Sequence, residues 1–331
     1  LAFNLSFSND YFAEINTFPT GNRSFLIKSE KNLALVCDYD GKVTYVDIYN
    51  SEFGYFKYGL SRPTSAFFDG EYIYIVDSMK KEVQKISNIT KKIIKKIKLD
   101  KSPWNIKVIN NKLYITAEES LYILDKNLNI KSSYKLSVNS PYIITQNKEV
   151  FIPMYDNYIN NTFKTKLLFF IPNSNQYIPN QVNIKNPVDI IKVNNIFYVV
   201  SKFEGKLYKI TKYSQKEVAD FNGVTRNIEL FNDYIIGHSM KGGIYYYNLK
   251  TGKTTKILED IPIIDITVSP DKNYIYAISH INNKLYIIKN MKVYQELNVS
   301  SYPIDVISPD NNIILVLTTD NGQLHLIRRF E

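Results

Sequence analysis

An all-β fold assembled from eight four-stranded units is predicted by three features of this 331-residue sequence. The composition suits strands, because 27 Tyr and 18 Phe join abundant Ile and Val, and branched or flat side chains pack well on a pleated, half-buried surface. Helical periodicity is missing from every unit. The third feature is a recurrence. "SPWNIKVINNKLYITAEESLYILDKN" from Ser102 returns as "NPVDIIKVNNIFYVVSKFEGKLYKITK" from Asn186 and as "YPIDVISPDNNIILVLTTDNGQLHLI" from Tyr302.

The register of the repeat is carried by a proline that opens a short apolar strand: Pro63, Pro103, Pro141, Pro187, Pro262 and Pro303, with Asn22 and Thr225 taking that place in two further units. Half of the 12 prolines fall at this one position. Proline is tolerated at the first residue of a strand, where its missing N–H breaks no ladder. In the second unit the strands read "TSAFF", "EYIYIVD", "VQKIS" and "KKIIKKIKL", separated by Asp69, Gly70 and Asn88.

Four strands recurring at about 40 residues match a β-propeller blade. One blade cannot bury both faces of its sheet, so blades must stack and the ring must close. The last unit ends at Glu331 after three strands, while "YFAEINTF" from Tyr11 to Phe18 precedes the first unit without a blade of its own. The sequence therefore predicts one domain over residues 1–331, an eight-bladed β-propeller whose N-terminal strand completes the last blade. A seven-bladed ring is the alternative count.

The turn-and-strand segments "SPDKNYIYAIS" from Ser269 and "SPDNNIILVLT" from Ser308, with "EYIYIVDS", "NKLYITAE" and "NIFYVVSK" as looser versions, resemble the repeat of YVTN-type bacterial and archaeal propellers. The likeness spans nearly the whole chain and implies architecture. Two departures are visible: the final Asn of the namesake motif is replaced, and Lys272 or Asn311 stands where the turn usually has Gly.

Net charge is +9, which admits a nucleic acid, an anionic membrane or an acidic protein as partner. The lysines are spread along the chain, and the densest run, "KKIIKKIKL" from Lys91, alternates as the wet face of an edge strand would. No basic and aromatic RNA-binding motif occurs, so no nucleic-acid partner is expected. Cys37 is the only cysteine, which excludes an internal disulfide and a Cys-based zinc cluster. No apolar stretch is long enough to span a bilayer. The chain begins with Leu1 rather than Met, read as an expectation of a removed leader and of a periplasmic, cell-surface or extracellular setting, with a lipid anchor upstream left open.

In such a blade the loops from second to third strand, and from last strand to the next blade, open on one side. Aligning the units on the register proline puts Arg23, Thr64, Trp104, Tyr142, Val188, Arg226, Ile264 and Ile304 at equivalent places near the channel mouth. Arg23, Trp104, Tyr142 and Arg226 are side chains of the kind that anchor a partner, although Trp104 and Tyr142 can equally wedge between blades. One residue on stand Asn105, Asp189, Asn227, Asp265 and Asp305, read as bonding to neighbouring backbone. "GHSMKGG" and "SHINNK" put His238, Met240 and His280 on the same rim, a weak metal set without a third ligand or acidic cluster. The long fourth unit adds "YDNYINNTFKTK", with Tyr155 and Tyr158, to that face.

No GxSxG elbow, Walker loop, GxGxxG or HExxH occurs, and paired carboxylates such as Glu118 with Glu119 are adjacent on strands, pointing to opposite faces. The leading expectation is a non-catalytic scaffold that binds a protein or extended ligand, including a small molecule, on the loop face and channel mouth. Ring size is also similar to the haem-binding propeller of dihaem nitrite reductases and to propellers that help make their modified haem. That likeness implies a tetrapyrrole as the alternative ligand, with His238 and His280 as axial candidates and Arg23 and Arg226 pairing its carboxylates. A third likeness, to the eight-bladed lipoprotein scaffold of outer-membrane assembly, meets the departure that its repeats end in a docking tryptophan, whereas this chain has Trp104 alone.

Overall fold

The computed structural model describes residues 10–56, 59–136, 143–146, 149–154, 166–171, 176–181, 184–211 and 214–331. Among them the chain forms 32 strands in eight four-stranded antiparallel sheets. It opens with β1 (Tyr11–Pro19). The first sheet holds β2 (Ser24–Glu30), β3 (Leu33–Asp38), β4 (Lys42–Asp47) and β5 (Phe53–Phe56), and the second β6 (Pro63–Phe68), β7 (Tyr72–Asp77), β8 (Glu82–Ser87) and β9 (Ile93–Lys98). The third has β10 (Pro103–Ile109), β11 (Lys112–Ala117), β12 (Ser120–Asp125) and β13 (Ile130–Lys135). The fourth has β14 (Ile144–Gln146), β15 (Glu149–Met154), β16 (Lys166–Ile171) and β17 (Gln176–Gln181). The fifth has β18 (Pro187–Val193), β19 (Ile196–Ser201), β20 (Lys206–Ile210) and β21 (Gln215–Asp220). The sixth has β22 (Ile228–Phe231), β23 (Tyr234–His238), β24 (Ile244–Asn248) and β25 (Thr254–Ile257). The seventh has β26 (Asp265–Val268), β27 (Ile275–Ser279), β28 (Lys284–Lys289) and β29 (Lys292–Asn298). The eighth takes β30 (Pro303–Ile307), β31 (Ile313–Thr318) and β32 (Gln323–Phe330), and its outer strand is β1.

Burial follows strand rank. The second strands read as continuous apolar runs, such as "LALVCD" in β3 and "IILVLT" in β31, and every residue of both is buried. A strand covered on both faces has no reason to alternate. The outer strands do face water: β9 is exposed at five of its six positions, as a lysine-rich edge should be. Cys37 in β3 is wholly buried, and burial pushes its thiol up to about 12.

Each of eight apolar clusters draws on two consecutive sheets. Tyr74, Val83, Ile115 and Leu124 join the second to the third, and Phe151, Ile190 and Val199 join the fourth to the fifth. Ala34, Val36, Leu315 and Leu326 join the eighth to the first. Each such side chain taken fully out of water contributes about 1.5–3 kcal/mol.

β1 pairs antiparallel with β32, from Tyr11 opposite Phe330 to Pro19 opposite Gln323. The segment from Tyr11 to Phe18 thus supplies the fourth strand of the last sheet. The register prolines fall where expected in four sheets, since β6, β10, β18 and β30 each begin on one. A register shift follows at once, between Pro63 and Ser65, Pro103 and Asn105, Pro187 and Asp189, and Pro303 and Asp305. An extra residue there accommodates a residue without an N–H. Pro262 lies ahead of β26, and Pro141 lies outside the described residues.

Candidate functional site

The bulge sets two tiers of side chains on the first strands. Immediately after it, carboxylates reach to the next sheet: Ile228 N–H donates to Asp189 Oδ2 at 2.9 Å, Val306 N–H to Asp265 Oδ2 at 3.0 Å, and Ile27 N–H to Asp305 Oδ2 at 2.8 Å. Asn227 Nδ2 donates to Ile266 O at 2.6 Å, and Ser65 Oγ to Asn105 Oδ1 at 3.0 Å. Asp189, Asn227, Asp265 and Asp305 thus take the neighbouring-backbone role expected of them, whereas the bond of Asn105 is to a side chain. Burial holds the Asp265 carboxyl well above the usual carboxylate range, Asp305 beside it adds like-charge repulsion, and Arg226 opposes both.

Two residues further on is a second tier, fixed by the partners on the second strands: Lys28 opposite Leu35, Phe67 opposite Tyr74, Lys107 opposite Tyr114, Ile144 opposite Phe151, Ile191 opposite Tyr198, Glu229 opposite Ile236, Thr267 opposite Tyr276 and Ile307 opposite Leu315. Lys28, Ile144, Glu229, Thr267 and Ile307 line one cavity of about 340 Å³, together with Asp189, Asp265 and Asp305 of the first tier. Lys107 is pulled down to about 7, first by the like charge of Lys28 and then by burial, against the attraction of Glu30. Glu229 is pushed up to about 7 by burial and by Asp189, against Lys272, and burial lifts Asp189 to about 6 despite the two backbone N–H groups it accepts.

The strand pairing places the expected rim residues individually. Arg226 lies at the cavity mouth, where its Nη1 donates to Ile304 O in the eighth sheet at 2.6 Å. Trp104, at the same strand position, is half-buried, and its indole N–H is buried without a protein acceptor. Arg23 is not equivalent to them. The shift between Ser24 and Leu26 matches that between Pro63 and Ser65, so Phe25 holds this place and Arg23 sits in the preceding loop. There it is exposed, bonds Asp40 at 3.0 Å and lies 5.9 Å from the ring centroid of Tyr39, which Phe25 stacks on and Arg62 covers. Tyr142, Tyr155 and Tyr158 lie outside the described residues.

His238 is not a rim ligand. It is fully buried, its Nδ1 donates to Ile263 O at 2.8 Å, and its Nε2 accepts the Arg226 N–H at 3.1 Å, so both ring nitrogens are committed. Burial drives it down to about 3. Met240 packs against the apolar cluster between the seventh and eighth sheets. His280 is half-buried against Tyr302, with ring centroids 5.2 Å apart and Nδ1 buried without a partner. No group of three metal-ligating side chains occurs among the described residues. A tetrapyrrole therefore does not fit the residues assigned to it: His238 is fully buried and ligation through its Nε2 would strand the Arg226 N–H, while Arg23 and Arg226 are already engaged.

Sequence reading missed the apolar residues of the loop face. Met79, Phe203 and Ile281 occupy loops between second and third strands and Tyr302 a loop between sheets, with 69%, 59%, 64% and 45% of their surface exposed. Each looks like a core residue in sequence. The opposite loops expose Tyr49 and Ile89 among the described large apolar residues.

His325, on β32, is buried. Its Nδ1 donates to the Glu14 carboxylate of β1, while its Nε2 accepts from Ser300 Oγ at 2.5 Å, with Thr318 Oγ1 at 3.4 Å. The order Ser, His, Glu is that of a hydrolytic triad, but Ser300 Oγ also shares a hydrogen bond with Thr318 Oγ1 at 2.9 Å, and the set sits where the chain ends meet.

No protein-family model and no curated protein matches the sequence. Solved structures do. BamB from Moraxella catarrhalis superimposes with a TM-score of 0.73 at 11% identity, covering 96% of this chain and 100% of that one. The Swd1 β-propeller domain of Myceliophteria thermophila gives 0.57 at 10% identity, over 96% and 99%, and the hydrazine synthase of Kuenenia stuttgartiensis 0.62 at 13%, over 93% and 96%. No helix of the described residues is long and apolar enough to cross a membrane. Likeness at such low identity, over nearly the full length of each chain, shows a shared fold: this chain is similar to β-propellers.

Proposed function

We propose that the chain is a single eight-bladed ring of the YVTN type, closed by its own first and last strands, and that it acts as a non-catalytic scaffold taking a protein partner on its loop face. The observation that carries this is the exposure of Met79, Phe203, Ile281 and Tyr302 on loops that open to one side, alongside the Arg23, Tyr39 and Arg62 cluster. Large apolar side chains held out in water on a rigid frame, with arginine and tyrosine beside them, have the composition of binding hot spots. In this reading the protein works outside the cytoplasm.

Affinity capture from the cells that make the protein, with the wild type and with a Met79→Ser, Phe203→Ser, Ile281→Ser, Tyr302→Ser variant, tests it. The reading predicts a partner seen with the wild type and lost with the variant, at an unchanged melting temperature. Equal capture by a folded variant would sink it.

A further inference from the structure

We propose that the central channel binds a small zwitterion, cationic at one end and anionic at the other with an apolar spacer between. The proposal deepens the channel-mouth part of the scaffold reading and rests on its closed ring. The walls differ by sheet. Lys28 lines the cavity from the first sheet and Asp189 and Glu229 from the fifth and sixth, while Lys107, on the same tier of the third sheet, is near enough to Lys28 to feel its charge. Sheets one and five face each other across an eight-membered ring, so Lys28 stands opposite Asp189, with Glu229 on the adjoining wall.

Nothing in the fold requires those charges. The same tier carries Phe67, Ile191 and Ile307 in other sheets, and among the described residues neither ammonium nor the Glu229 carboxylate has a hydrogen bond or salt bridge. Confined charges without partners are costly, and like charges side by side cost more. Both pairs show that strain: Lys28 repels Lys107, with Glu30 the offsetting acid, and Asp189 repels Glu229, with Lys272 the offsetting base. Arg226 opposes the like charge of Asp265 and Asp305, and Lys202 also lines the cavity, so the unpaired Glu229 beside Asp189 is the acidic pole. A single ion would relieve one pole only. A zwitterion relieves both, and its spacer lies against the isoleucines of the waist. The cavity, about 340 Å³, is of the size small-ligand sites have.

Isothermal titration of the full chain with ε-aminocaproate, γ-aminobutyrate and diglycine, against hexylamine and hexanoate, tests this. The expected result is saturable binding of at least one zwitterion, at least tenfold weaker binding of both single-charge probes, and at least a tenfold loss in Glu229→Gln and in Lys28→Met. No saturable zwitterion binding, single-charge probes binding equally well, or folded variants that bind like the wild type would each overturn it. If a variant fails to fold, the comparison of probes on the wild type decides alone. The loop-face serine variant should bind the zwitterion unchanged, so failure of the partner reading and failure of this one are separable.

Discussion

Ile27 in the first sheet donates its backbone N–H to Asp305 Oδ2 in the eighth at 2.8 Å, across 278 residues of sequence. The bond repeats between the eighth and first sheets what Asp189 does for Ile228 and Asp265 for Val306, so this junction is built like those between the fifth and sixth and the seventh and eighth.

Asp305→Ala leaves a buried N–H without its acceptor and should cost about 1–3 kcal/mol in urea denaturation. Asp305→Asn keeps an acceptor and removes the like charge beside Asp265, so its cost should be under about 1 kcal/mol. Equal losses in the two variants would show that the side chain matters for packing and not for this bond.

Arg329 ties the paired chain ends to the seventh sheet. Its guanidinium, largely buried, bonds Asp10 at 2.9 Å and Asp271 in the seventh sheet at 2.8 Å, and lies 4.8 Å from the Tyr274 ring centroid. Arg329→Ala strands two carboxylates and should lower stability by about 2–4 kcal/mol, with much of the loss retained in Arg329→Lys because a single ammonium cannot bridge both acids. A change below about 0.5 kcal/mol would show that this contact does not hold the chain ends to the seventh sheet.

Stability should depend on pH with two opposing slopes. His238 is held down to about 3 from its ordinary 6.5, so as pH falls below 6.5 the unfolded chain takes up a proton that the folded one refuses, and stability declines toward pH 3. Glu229 is raised to about 7 from 4.5, so between those values the folded chain keeps a proton that the unfolded one has released, and stability declines as pH rises. Glu229→Gln should therefore stabilise by about 1–2 kcal/mol at pH 8, and hardly at all at pH 4. Denaturation curves at the two pH values check the sign; a gain at pH 4 as large as at pH 8 would contradict it.

What could be read in sequence was set by what repeats. Four prolines open first strands, and a three-stranded last unit beside the orphan segment from Tyr11 to Phe18 announced the pairing of β1 with β32. Arg23 was misplaced because the first unit lacks the proline, and Ser24 begins its strand with the same bulge but no sequence mark. His238 looked like a loop residue because "GHSMKGG" is rich in turn formers; its burial depends on Ile263 O and Arg226 N, contacts between backbone and ring that no spacing reveals. Lys28 and Glu229 each resemble a solvent-facing residue of an alternating strand, and only the packing of distant sheets brings them to the lining of one cavity. Exposed Met79 and Phe203 were illegible for the converse reason, since apolar residues next to strands are usually core.

The circular arrangement is the claim on which the channel and loop face both stand, and a cysteine pair at the seam tests it most directly. Tyr11 and Phe330 are strand partners whose rings stack with centroids 4.9 Å apart, and the native Cys37 is buried away from oxidants. A Tyr11→Cys, Phe330→Cys variant should oxidise to an intramolecular disulfide, run as a compact monomer on a non-reducing gel, and melt at higher temperature than its reduced form. Free thiols, or only disulfide-linked dimers, in the folded and oxidised protein would contradict the closed ring.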